Sequence, residues 1–129
     1  MIVVNGTTFT DHARSVDLSV ATNGQMAAAM GEVQDYEMPG TLVVKPIVFE
    51  FFQDYAASNI YIIHRTLWDA RSTFVLTCKA DSAADSATNP NFTVTVFVSD
   101  MSYVKGARGD IHVNSITYKA AGALTYDVT

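Results

Sequence analysis

The sequence predicts a mainly β protein: an antiparallel β-sandwich or flattened barrel with one flanking α-helix. Three observations carry this. Several short runs alternate apolar and polar residues at period two, only one segment repeats at helical spacing, and the composition suits one packed core. The chain has 129 residues, 49% hydrophobic and only 16% charged, with seven Phe, six Tyr and one Trp. That is one domain by length, spanning 1–129, and its aromatic content excludes global disorder.

Taken in order, Arg14–Val20 alternates, with Val16, Leu18 and Val20 on one side and Asp17 and Ser19 on the other. Asn23–Gly40 follows, with Met26, Met30 and Met38, three consecutive alanines and the acids Glu32, Asp35 and Glu37. It fits a short helix or an extended arm, and a segment of this length without regular structure is usually functional. Thr41–Phe52 is a β-branched and aromatic run interrupted by Pro46, which predicts a bulge or an edge strand because proline has no ladder donor. Within it Phe49 and Phe51 share the core face. From Ser58 to Ala70, Ile60, Ile63, Leu67 and Trp68 form one apolar stripe on a helix, with Ser58 or Asn59 as N-cap. Thr73–Lys79 and Phe92–Ser99 are strands, separated by the polar loop Ala80–Asn91. Ile111–Tyr118 is β-rich but changes phase between Val113 and Ile116, which predicts a bulge. Leu124–Val128 closes the series.

Little in this chain points to catalysis. It has no glycine-rich phosphate loop, no G-x-S-x-G, no H-E-x-x-H and no C-x-x-C. No enzyme activity, metal or cofactor is expected. His12, His64 and His112 fall on a loop, a helix and a strand, and read as solvated or hydrogen-bonded surface residues. Cys78, the single cysteine, alternates with Phe74 and Leu76 and belongs to the core. Arg108-Gly109-Asp110 and the two sequons at Asn5 and Asn91 carry no weight without a secretory signal, and no apolar run is long enough to span a membrane. The net charge of −5 lies within residues 1–54, while residues 55–129 balance six acids with six bases. A nucleic-acid binder would need a basic stripe, which this sequence lacks.

The segment Phe51-Phe52-Gln53-Asp54-Tyr55-Ala56-Ala57, after a Pro39-Gly40 turn and a β-rich strand, resembles the signature segment of phage tail tube proteins. The family is the major tail protein of long, non-contractile, siphovirus-type tails. Asp11–Val16 is similar to its opening strand, Leu67-Trp68 to its helix end, and Ser86-Ala87-Thr88-Asn89-Pro90 to a loop before the next strand. Gly106–Asp110, Ser115–Tyr118 and Gly122–Thr125 are similar to its closing strands. The resemblance implies a fold like the inner tube of contractile tails and type VI secretion systems. It also implies homo-hexameric rings that stack into a hollow tube through which DNA is ejected without specific binding. Its partners would be other copies of itself, the tape measure, the tail tip and the terminator. Its location would be the virion tail, assembled in the cytoplasm of a host bacterium.

Within that reading the arm at 23–40 supplies the inter-ring contact through Met26, Met30, Tyr36 and Met38, since methionines adapt to imperfectly matched surfaces. The alternative for the same residues is an amphipathic helix on the subunit's own core. The acidic half supplies the lumen, with Asp17 and Glu50 expected to face away from the core. Other readings of the whole chain are a tail terminator, a capsid decoration protein, or a free sugar-binding sandwich.

Overall fold

The computed structural model describes residues 1–27 and 36–128. The elements are β1 (Ile2–Val4), β2 (Thr7–Thr8), β3 (Ala13–Asp17), β4 (Val20–Met26), β5 (Glu37–Val44), β6 (Ile47–Phe52), α1 (Ile60–Ala70), β7 (Phe74–Cys78), β8 (Asn91–Met101), β9 (Val113–Ala120) and β10 (Thr125–Asp127). Antiparallel pairing runs in the order β2-β1-β7-β8-β9-β6-β3, and β10 adds to β8 where β9 leaves it. Among the described residues, strands β4 and β5 pair only with each other, as a separate hairpin.

Period-two alternation decides which side of the large sheet is the core. Ile47, Phe49 and Phe51 of β6 stand beside Ile116 and Tyr118 of β9, then Val94, Val96 and Val98 of β8, then Leu76 of β7 and Val4 of β1. All are buried. The helix lies on this same inner face, burying Ile60, His64 and Leu67. Phe9 enters from the β2–β3 connection, its N–H bonded to the Ile2 carbonyl at 3.0 Å. Its ring meets Phe51 edge-on, with centroids 6.2 Å apart, and also contacts His64. The fold is thus the mainly β, antiparallel architecture with one flanking helix that the patterning predicts.

Four local expectations are corrected. Arg14–Val20 is not one strand: β3 stops at Asp17 and β4 begins at Val20. Val16 sits on the inward side opposite Phe49 yet is 45% exposed, because β3 is the sheet's last strand and the core does not reach past it. Around Pro46 the run is neither bulged nor continuous; β5 ends at Val44 and β6 starts at Ile47, the missing N–H falling in the break. The phase change in Ile111–Tyr118 needs no bulge, since β9 pairs with β6 without interruption from Val113 to Tyr118 and Asn114 takes the inward position. The bulge is on β8, between Val98 and Asp100. Finally, the buried helix stripe turns on His64, with Ile63 and Trp68 at its half-buried margins. The expectation of three surface histidines therefore fails at His64.

Candidate assembly interface

The ionisable residues that come together do so as struts. His12 is held between two carboxylates, Nδ1 at 2.8 Å from Asp11 and Nε2 at 3.3 Å from Asp54. Asp54 also accepts the Ala56 N–H at 2.8 Å and the Asn59 side-chain amide at 2.5 Å. The Ala56 hydrogen bond, with help from His12, lowers the Asp54 pKa, and the Asp11 hydrogen bond raises that of His12. The cluster ties the β2–β3 turn to the start of α1. Asn59, at the N-cap position, turns its side chain toward Asp54 and makes no side-chain cap hydrogen bond to the helix.

His64 is a core residue. Its Nδ1–H donates to the Ile60 carbonyl at 2.7 Å, so Nε2 must accept from the Tyr118 hydroxyl. Burial lowers its pKa to about 4 and raises that of Tyr118. His112 lies elsewhere, against Gly106, whose φ of +152° and lack of a Cβ leave room for the imidazole. The three histidines thus occupy three separate environments. Among the described residues no three His, Cys, Asp or Glu side chains could hold a metal ion. Cys78 is buried, and burial lifts its pKa to about 11, away from thiolate chemistry.

The polar loop 80–91 is organised by Asn89. Its amide donates to the carbonyls of Ala83 at 3.1 Å and Ala84 at 3.2 Å, while its oxygen accepts the Asp81 N–H at 3.1 Å. Lys79 is half-buried, with its side chain covered and paired with Asp85, closing the loop onto the sheet.

Exposed apolar side chains include Val104 and Ile111 of the loop before β9, and a further group lies on the β4–β5 hairpin. Leu42 is 75% exposed, Met26 64% and Met38 56%, with Tyr36 exposed beside them. Met26 shares a face with Glu37, and Met38 shares the other with Gln25, so both faces carry a methionine. The segment expected to be a helix or an arm is here the outer part of two paired strands; Met30 lies outside the described residues. A lone two-stranded hairpin is marginal in water. At the hairpin's base a groove of about 550 Å³ runs between Val20, Leu42 and Val43 on one side and Ala123, Leu124 and Tyr126 on the other. Sequence reasoning missed Leu42 and Tyr126, because each sits in an alternating run that looks the same as a core strand.

Asp17 and Glu50 fall on one surface, the outer face of the large sheet. Asp17 is exposed opposite Val48, and Glu50 is half-buried, accepting the Ser15 hydroxyl at 3.2 Å. Ser115 and Thr117 of β9 continue this face. At the other end of the core, Tyr55, Tyr61 and Tyr103 cluster with interplanar angles of 59° and 68°, which gives no flat platform on which a sugar ring would stack.

No protein-family model and no curated protein matches the sequence. Solved structures do match the fold. A chain in the virion of a native gene transfer agent particle superposes with a TM-score of 0.69 at 9% identity, covering 90% of this chain and 85% of that one. A chain in the tail of the empty gene transfer agent particle, a structure with C6 symmetry, gives 0.69 at 9% identity over 90% and 82%. A chain in the sixfold-symmetrised baseplate of the anti-feeding prophage gives 0.61 at 10% identity over 98% and 89%. At such identities it is the fold that is shared, and this chain is similar to subunits of phage-like tail particles.

Proposed function

We propose that this chain is a structural subunit of a phage-type tail, and specifically a major tail tube protein. Its copies close into rings, six being the number suggested by the sixfold particles that share its fold. The rings stack into a hollow tube that conducts DNA. The role is structural and not catalytic, and needs no cofactor. The supporting observation is the hairpin, which exposes methionine on both faces and, among the described residues, pairs with no other strand of its own subunit. Such surface is stable only when covered, and in a tube the cover is another copy. Met26, Tyr36 and Met38 then serve the contact between rings, and the β3–β6 part of the outer sheet face, with Asp17 and Glu50, serves the lumen. Other tail proteins, the tape measure, tail tip and terminator, complete the list of partners, and the virion tail is the location. The likeness to a baseplate chain favours, as a second reading, a single ring at the tail's end.

The test is negative-stain electron microscopy of the purified protein across a concentration series, beside Met26→Asp/Met38→Asp. Tubes from the parent and folded, unstacked subunits from the variant are expected, because buried unpaired carboxylates are costly. Single rings that never stack would favour the terminal-ring reading. A parent protein that stays monomeric at millimolar concentration, even with tail-tip proteins added, would refute self-assembly.

A further inference from the structure

One groove lies apart from the hairpin, where α1 ends. Trp68, Arg71, Phe97 and Val98 line a cavity of about 410 Å³. It exists because β7 begins only at Phe74, opposite Val96, so among the described residues no strand pairs with β8 beyond that point on this side. The helix terminus passes over the gap instead, with Arg71 in the left-handed conformation at φ 50° and its N–H bonded to the Trp68 carbonyl. Lys119 stands directly across from Phe97 on β9. Among the described residues neither Arg71 nor Lys119 has a carboxylate within salt-bridge distance. Asp69 is taken by Arg65 at 2.9 Å, and Asp100 pairs with Thr117, further along the strands. The result is an aromatic floor with two unpaired cations beside it.

The complementary surface is in the same chain. Residues 15–44 hold Asp17, Glu32, Asp35 and Glu37 and no lysine or arginine. On the described part of the hairpin, Met26 and Glu37 are cross-strand partners on one face, and both are exposed. The Glu37 side chain lies over Gly24, where a Cβ would collide with it. This face offers a flexible thioether for an aromatic floor and a carboxylate for the cations.

We infer that the Met26–Glu37 face of one copy's hairpin docks in the Trp68–Phe97 groove of another, with Glu37 meeting Arg71 and Lys119. This rests on the self-assembly proposed above and names the receptor for the hairpin. A plug and a socket at different places on one chain make a heterologous contact, the kind that propagates rings or stacks.

The test is assembly, by sedimentation and electron microscopy, of the parent, R71E/K119E, R71Q/K119Q and the swap E37K/R71E/K119E, each first checked for fold by circular dichroism. Reversal of both cations is expected to raise the concentration needed for assembly about tenfold or more, neutralisation to raise it less, and the swap to recover part of the loss. Zero-length carbodiimide coupling of mixed ¹⁴N and ¹⁵N parent protein is expected to join Glu37 of one copy to Lys119 of another. Unchanged assembly of both double variants, with no such cross-link, would overturn this docking while leaving self-assembly intact. Loss of assembly without rescue by the swap or the cross-link would show that the groove takes a different occupant. A parent that does not assemble at all would refute the reading beneath it.

Discussion

The buried His64–Tyr118 pair makes stability depend on pH in a direction that can be worked out. Neutral His64 donates from Nδ1 and accepts at Nε2, both to partners inside the core, and burial holds its pKa at about 4 against 6.5 for a free histidine. Above pH 6.5 both folded and unfolded chains carry the neutral ring, and the group contributes no pH dependence. As the pH falls below 6.5 the unfolded chain takes up a proton that the folded chain refuses, so stability is lost, fully so only below about pH 4. The gap of about 2.5 pKa units corresponds to about 3 kcal/mol in total, of which about 2 is lost by pH 5. The perturbation is His64→Phe/Tyr118→Phe, which removes both partners together and leaves an aromatic ring beside Phe9 and Phe51, where His64 already packs. The assay is urea unfolding at pH 7.5 and 5.0, at concentrations below assembly, for parent and variant. His12 titrates with the opposite sign: its raised pKa stabilises the fold below pH 6.5, and that contribution is lost as pH rises through the folded value. It is present in both proteins and cancels in the comparison. The parent should lose about 2 kcal/mol more than the variant between the two pH values. Equal losses would refute the claim that His64 is held neutral by burial.

Two further outcomes are expected. Asn89→Ala removes a buried side chain and its hydrogen bonds to Asp81, Ala83 and Ala84, residues that are themselves exposed and can turn to water, so urea unfolding should show a loss of about 1–2 kcal/mol; a change below about 0.5 kcal/mol would mean that the Lys79–Asp85 pair orders the loop alone. If the outer sheet face lines the lumen, tubes of Asp17→Lys/Glu50→Lys should form normally, retain DNA at low salt in a filter-binding assay and release it as salt rises; normal tubes with no DNA retention would put these residues outside the channel.

The fold was legible wherever burial on one face imposes a period. Phe49 and Phe51, Val94 to Val98 and Cys78 all lie inward as their alternation says, because a one-residue slip would turn each set into water. The failures sit where that constraint lapses. Val16 obeys the alternation but lies beyond the core's edge, a fact of tertiary position that no local pattern carries. Asn114 occupies an inward position with neither side-chain polar atom partnered among the described residues, so its polarity hid the true phase of β9. His64 hid for a similar reason. A histidine on a helix looks like surface until its two ring nitrogens find Ile60 and Tyr118, which lies 54 residues away.

The proposed assembly surface was harder to see for a deeper reason. Burial against one's own chain and burial against another copy select the same side chains, so Leu42 in β5 and Leu76 in β7 look alike in sequence. One is 75% exposed and the other fully buried. What sets them apart is pairing. Leu76 stands between Val4 and Val94 within the large sheet, whereas the hairpin carrying Leu42 leaves the body after Asp17 and returns at Ile47. The methionines, the alanines and the length of the segment marked the region as unusual. Among the described residues the register joins its two strands to each other and to no strand of the large sheet. That is why the proposed contacts are assigned to the hairpin, and not to the many alternating runs that the core already satisfies.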